Sequence, residues 1–303
     1  MRLFLPIALM VSGQSSSEPP APTVFEAGVI SGPEHEAAPA FSPDGKSLYF
    51  QRSDGEHSTI LVSNRVNGAW STPITARFSG RWNDMEPAFS ADGRYIIFVS
   101  SRPIDPAGRP IDGFFGGAIQ KGGGGNLWRV DRRRDGSWGT PKRLPGTVNA
   151  GTNVFAPSLV ADGTLFFMRP DPTTHRFRLY SSTPGPKGYQ AAAPLPFSTG
   201  ATTDVDPVVS RDGKVMVFGS GRAPAAGMDL FVSRRTPSGW SEPQHLGTRV
   251  NSPGSDAEPR LSPDERTLYF SSERKAVDST ADWNSGKYNI WAIPVAAALP
   301  AMR

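Results

Sequence analysis

The sequence predicts an all-β protein: a five-bladed β-propeller of four-stranded antiparallel blades, with an N-terminal strand closing the last blade. Three observations predict it. One pattern recurs five times along the chain. Gly (32) and Pro (30) are too dense among 303 residues for a helical bundle, but they suit many short strands and turns. The last repeat lacks an outer strand that the N-terminus can supply.

The repeats read PAFSPDGKSLYF from Pro39, PAFSADGRYIIF from Pro87, PSLVADGTLFF from Pro157, PVVSRDGKVMVF from Pro207 and PRLSPDERTLYF from Pro259. Their spacings of 48, 70, 50 and 52 residues are those of propeller blades, the longest one carrying an insert. In each unit the first strand follows the Pro. A tight turn comes next, at Asp44-Gly45, Asp92-Gly93, Asp162-Gly163 and Asp212-Gly213, with Asp264-Glu265 in the fifth. Asp and Gly accept the backbone angles a hairpin demands. The second strand ends on Phe50, Phe98, Phe167, Phe218 or Phe270, expected as core between blades. The third carries apolar-aromatic pairs such as Leu127-Trp128 and Ile290-Trp291. The fourth is expected to open with an aromatic and a nearby Pro: Trp70…Pro73, Trp138…Pro141, Tyr189…Pro194, Trp240…Pro243. Pro suits an edge strand, whose outward position needs no N–H.

The fifth unit stops after its third strand, in PVAAALPAMR. Pro22–Val29 precedes Pro39 by 17 residues, close to the 13 to 16 that separate fourth-strand Pro from the next repeat elsewhere. This segment is therefore expected to be the missing outer strand. Blades fall near 33–82, 83–150, 151–200, 201–250 and 251–303 plus 23–32, in one domain spanning 23–303.

Residues 1–13 have Arg2 and a short apolar run, the layout of a secretory signal rather than a membrane span. Residues 14–22, QSSSEPPAP, read as a disordered linker. The absence of cysteine excludes disulfides, thiol nucleophiles and thiolate metal sites. Lys and Arg (32) barely exceed Asp and Glu (28), and the signs are interspersed, which does not suit a nucleic-acid partner.

An acid, then Pro, then S-P-D-G-K and an apolar-aromatic strand resemble the TolB-like, WD-type β-propeller repeats of bacterial envelope proteins. The resemblance covers residues 33–293. It implies an exported binding propeller but carries over no specific partner. A periplasmic or secreted monomer is expected, and large flat propeller tops suit an envelope protein or polysaccharide as partner. Similar propellers also front prolyl-oligopeptidase-type hydrolases, but the chain has no G-x-S-x-G nucleophile motif.

Acids precede the strand-opening Pro in four units: Glu34 and Glu36, Asp84 and Glu86, Asp204 and Asp206, Asp256 and Glu258. First strands line a propeller's channel, so these acids are expected at one channel mouth. Arg102, Arg222 and Arg274 end the second strands and return to the same rim. Three readings follow: ion pairing within each blade, a ligand ring, or catalytic carboxylates of the kind five-bladed glycoside hydrolases use. A ring of oxygen ligands would suit calcium; no other cofactor is expected, and the scattered His35, His57, His175 and His245 do not make a zinc site. Two inserts, Pro103–Gly125 and Lys275–Lys287, should emerge on this rim with Phe114, Phe115 and Trp283 as binding anchors or as packing. Arg132–Arg134 reads as a solvated face. The leading expectation is a non-enzymatic binding module; the alternative is a carbohydrate-active enzyme using the mouth carboxylates.

Overall fold

The computed structural model describes residues 19–186, 188–275 and 287–299. The expected leader, linker residues 14–18 and Trp283 lie outside the described residues. Five antiparallel sheets form the five blades, ordered from inner to outer strand as the chain runs except that an N-terminal strand is outermost in the fifth. The inner strands are His35–Phe41, Asp84–Phe89, Phe155–Leu159, Asp204–Val209 and Asp256–Leu261. The second strands are Ser47–Ser53, Tyr95–Ser100, Leu165–Pro170, Val215–Ser220 and Thr267–Ser272. Third strands such as Asn126–Asp131 and Asn289–Pro294 follow.

The turn between the first two strands explains its own sequence. Ser42 Oγ donates to Asp44 Oδ1 at 2.6 Å, and the Lys46 N–H donates to the same oxygen at 3.1 Å. Ser90–Asp92, Ser210–Asp212 and Ser262–Asp264 repeat the hydroxyl bond at 2.6–2.7 Å. The next residue is left-handed: Gly45 at φ 68°, Gly93 at 69°, Gly213 at 74°, and Glu265, without a glycine's freedom, at 57°.

One expectation about the fourth strand needs correction. The aromatic does not open it. Trp70 pairs with Arg65 in a small hairpin that extends the third strand, and the outer strand proper, Ile74–Thr75, begins after Pro73. Lys142–Arg143 after Pro141 and Gln244–His245 after Pro243 follow suit. The ring of the Trp is thereby set between neighbouring blades; Trp138 Nε1 donates to Tyr49 Oη at 2.8 Å across the first interface.

The N-terminal strand closes the ring as expected. Thr23 pairs with Ala292 and Val24 with Trp291, antiparallel. Polar bonds reinforce the seam: Asn289 Nδ2 donates to Gly32 O and to Glu36 Oε2, both at 2.9 Å. The core lies between blades, where Phe50, Phe98, Phe167, Phe218 and Phe270 are fully buried. Val295–Ala298 is a single helical turn, and no helix among the described residues is long and apolar enough to cross a membrane.

All five inner strands share one irregularity. Register shifts fall between Ala37 and Ala40, Met85 and Ala88, Phe155 and Ser158, Val205 and Val208, and Ala257 and Arg260. Each bulge holds the strand-opening Pro, which has no N–H to lose from the ladder. The residue before the Pro is left-handed in every blade: Ala38, Glu86, Ala156, Asp206 and Glu258, at φ 49–54°.

Candidate functional site

The bulge splits the acid pairs of blades 2, 4 and 5; in blade 1 both Glu34 and Glu36 precede it. In a regular strand residues i and i+2 share a face. Here the left-handed residue turns the second acid away from the first. Asp84, Asp204 and Asp256, the first members, are fully buried and pair with the arginine of their own blade: Arg102 at 2.8 Å, Arg222 at 2.7 Å and Arg274 at 2.9 Å. The guanidinium Nε donates to Ser100, Ser220 or Ser272 Oγ at 2.8–2.9 Å. Its face lies 4.9–5.3 Å from the ring of Phe98, Phe218 or Phe270. In blade 1 the same role falls to Glu36 with Arg52, at 2.9 Å. Blade 3, which lacks the acid, uses Asp171 with Arg178, at 2.8 Å. Asp204 and Asp256 engage both carboxylate oxygens in hydrogen bonds, whereas Asp84 Oδ2 is buried without a hydrogen-bond partner. Burial still pushes the Asp84 carboxyl upward, against the pull of Arg102.

The second members meet at the axis. Glu86, Asp206 and Glu258 come from blades 2, 4 and 5, yet Glu86 feels the charge of both others and Asp206 that of Glu258. Glu86 Oε2 accepts the Ala156 N–H of the next blade at 2.5 Å, and Asp206 Oδ2 accepts the Glu258 N–H of its next blade at 3.3 Å. Glu258 accepts from Ser271 Oγ at 2.7 Å. Blade 1 carries Ala38 here and supplies Gln51 instead: its Oε1 accepts the Glu86 N–H at 3.1 Å, and its Nε2 donates to Glu258 at 3.4 Å. The axial acids thus stitch one blade's bulge to the next. Burial raises all three, and repulsion adds to it for the first two: Glu86 stands well above the carboxylate range and Asp206 at about 7, while Glu258 is raised by burial. Arg260 opposes the rise in all three.

The ion-pairing reading set both acids of a blade beside its arginine; in blades 2, 4 and 5 the structure pairs only the first. It also missed Gln51 and Arg260. Among the described residues, no group of three or more His, Asp or Glu is placed to hold a metal ion.

The insert 103–125 emerges where Asp84 pairs with Ser100, on the rim of the acid-bearing strand ends. It folds into a hairpin, Gly113–Phe115 against Ala118–Gln120. Asn153 fixes it to blade 3: its Oδ1 accepts the Phe114 N–H at 3.2 Å, and its Nδ2 donates to Phe114 O at 2.7 Å. The glycine run permits close approach, since a Cβ on Gly124 would lie 2.5 Å from Asp112 O. The two phenylalanines then part. Phe115 packs on Phe155 and Phe177 at 6.0 and 6.2 Å between ring centres. Phe114 stays 50% exposed beside its cross-strand partner Ile119, which is 69% exposed. Between the insert and blade 1 lies a groove of about 470 Å³, whose walls include Arg81, Trp82, Arg109 and Lys121. Arg132–Arg134 is exposed on the outer edge of blade 2.

No family model matches the chain. A 78-residue stretch is 35% identical to a putative tricorn protease homolog 2 of Streptomyces coelicolor; it covers 25% of this chain and 6% of that protein's length. The fold is similar to that of the putative TolB from Agrobacterium tumefaciens (TM-score 0.52, 19% identity, 82% of this chain and 73% of the other). It is also similar to an α-L-arabinofuranosidase from Lactobacillus brevis (TM-score 0.56, 12% identity, 86% and 90%) and a thermostable family-43 glycoside hydrolase (TM-score 0.53, 10% identity, 88% and 91%). The resemblance to TolB-like propellers therefore holds at the level of the fold, which other propellers with different chemistry share.

Proposed function

We propose that the chain is an exported binding propeller, periplasmic or secreted, that recognises an envelope protein through the insert of blade 2. One observation carries this reading. Of the six large hydrophobics exposed among the described residues, three (Ile104, Phe114 and Ile119) belong to that one insert. They adjoin a groove bearing Arg81, Arg109 and Lys121. Apolar anchors beside an arginine-rich margin are the composition of protein-recognition surfaces. The test replaces Phe114 and Ile119 together with Ala and compares recovery of partners from envelope extracts, with melting curves to show that the variant folds. Loss of a specific protein is expected. Undiminished recovery, or retention of a polysaccharide in place of a protein, overturns the reading.

A second reading rests on a separate observation. Glu86, Asp206 and Glu258 are channel carboxylates in environments unlike those of the pinned acids, a division of roles that glycoside hydrolysis exploits. Their engagement with backbone N–H groups argues for blade closure instead. Turnover on a panel of glycosides that disappears in Asp206→Asn would reverse this preference.

A further inference from the structure

The seam where the ring closes has an opening on the rim opposite the insert, at the turns between first and second strands. There Phe25, Phe41, Trp70 and Tyr269 line a cavity of about 390 Å³ between blades 5 and 1. Phe25 arrives with the N-terminal strand, directly after the residue that pairs with Trp291. All four rings are half-buried. They pack on the core formed by Leu48, Phe50 and Ile290 while also walling the cavity.

A comparable quartet, Phe78, Phe89, Trp138 and Tyr49, sits at the interface of blades 1 and 2. That quartet is latched: Trp138 Nε1 donates to Tyr49 Oη at 2.8 Å, and Tyr49 is only 7% exposed. At the seam no hydrogen bond joins Trp70 to Tyr269 among the described residues, and both rings stay partly accessible at the cavity wall.

The seam cavity is also negative. Glu26, Asp44 and Asp264 line it against one cation, Arg65. Asp44 and Asp264 are held below the usual carboxylate range, first by the hydroxyls of Ser42 and Ser262 and then by backbone N–H groups, so both are ionised at neutral pH. Those bonds fall on Oδ1 of each and leave Oδ2 unbonded. The charges bear on the cavity wall: burial raises the Tyr269 hydroxyl, Asp264 and Glu26 raise it further, and Arg65 opposes them. Arg65 lies 5.7 Å from the Trp70 ring and is tethered to its own hairpin, Nε donating to Gly68 O at 3.2 Å. Aromatic faces attract a cation but offer it no strong hydrogen-bond acceptor, so they favour one without N–H groups to satisfy.

We propose that this cavity binds a small quaternary ammonium cation of the choline type, its trimethylammonium head against the aromatic walls and its charge balanced by the rim carboxylates. A primary ammonium would turn unsatisfied N–H groups toward the rings. A phosphate beside the ammonium would stand against Glu26, Asp44 and Asp264, so the free cation is the ligand rather than a phospholipid headgroup. The site is separate from the insert of blade 2 and stands or falls independently of it.

The experiment titrates the full chain with choline and, in parallel, with dimethylbutanol (its uncharged carbon isostere), ethanolamine and phosphocholine, followed by calorimetry and by the shift in melting temperature. Choline is expected to bind saturably and raise the melting temperature, the uncharged isostere to do neither, and the other two to bind more weakly. Trp70→Leu should weaken choline binding roughly fivefold or more. Asp44→Asn combined with Asp264→Asn keeps an Oδ1 acceptor in each turn, removes two charges and should weaken it as well. Arg65→Gln removes the competing cation and should tighten it. If substitutions at the seam unfold the protein, the contrast between choline and dimethylbutanol on the wild type still decides. Equal responses to those two, no saturable choline binding, tighter binding of ethanolamine or phosphocholine than of choline, or choline affinity unchanged in folded Trp70→Leu would overturn the proposal.

Discussion

The acids two residues apart in Asp84-Met85-Glu86, Asp204-Val205-Asp206 and Asp256-Ala257-Glu258 occupy opposite electrostatic worlds. The first acid of each is buried against an arginine of its own blade, and that arginine lies over an aromatic ring. The second is buried at the axis, holds on to the next blade and shares one arginine with two rivals. The difference is made by one left-handed residue, not by residue type. A pin fixes a single blade's corner; an axial acid couples blades. The same short motif thus serves local and collective stability, and the two uses should differ in what a mutation costs.

The largest effect belongs to the pins. Asp204 accepts from Arg222, from Ser220 Oγ at 2.6 Å and from Ser198 Oγ at 2.7 Å. Asp204→Ala strands a cation and two hydroxyls in a buried setting, and should cost about 3–5 kcal/mol in denaturant unfolding. A loss near that of an exposed pair, below about 1 kcal/mol, would show that water enters the rim and that the pins are ornamental.

Why the repeat was legible and this division was not has a physical answer. Phe98 and its four counterparts are constrained by packing, and packing recurs with the blade, so they align in sequence. The Asp-Gly turn is legible because it needs a left-handed residue that glycine advertises. The bulge needs one too, but it uses Glu86, Asp206 and Glu258, before a Pro, where extended backbone is the ordinary expectation. Alternation then placed both acids on one face. Arg260 was hidden differently: it stands inside a repeat whose other copies carry Ala, Ser and Val, and only the closed ring shows that the position points at the axis. The exposed Phe114 and packed Phe115 are adjacent in sequence, and only the hairpin register separates them.

A middle-sized effect should appear in the pH dependence of stability. An acid whose folded pKa is raised binds its proton more tightly folded than unfolded. Its stabilisation is complete below the unfolded value, near 4, and is lost as pH rises toward the folded value, about 7 for Asp206. Glu86 and Glu258 act in the same direction. Stability should therefore fall between roughly pH 4 and 7, by on the order of 1 kcal/mol per pH unit for each proton released. Asp206→Asn keeps an oxygen for the Glu258 N–H and removes one titration, so urea unfolding at pH 5 and pH 8 should differ less than in the wild type. An unchanged slope would place the pH response elsewhere, Asp84 being the first alternative because burial raises it as well.

The smallest effect tests the stitching itself. Gln51 stands in blade 1, where Ala38 cannot reach its neighbour, and its amide joins Glu258 to the Glu86 backbone. Gln51→Ala leaves the Glu86 N–H without that acceptor, at a cost of about 1–2 kcal/mol. Gln51→Glu keeps the acceptor but adds a carboxylate to three others, so its cost should be slight at pH 5, where Asp206 holds its proton, and should grow by pH 8. Were Gln51→Glu equally stable at both values, the axis would be wet enough to screen its charges. The contrast between pins and axial acids would then be one of position alone, with no consequence for how the ring is held shut.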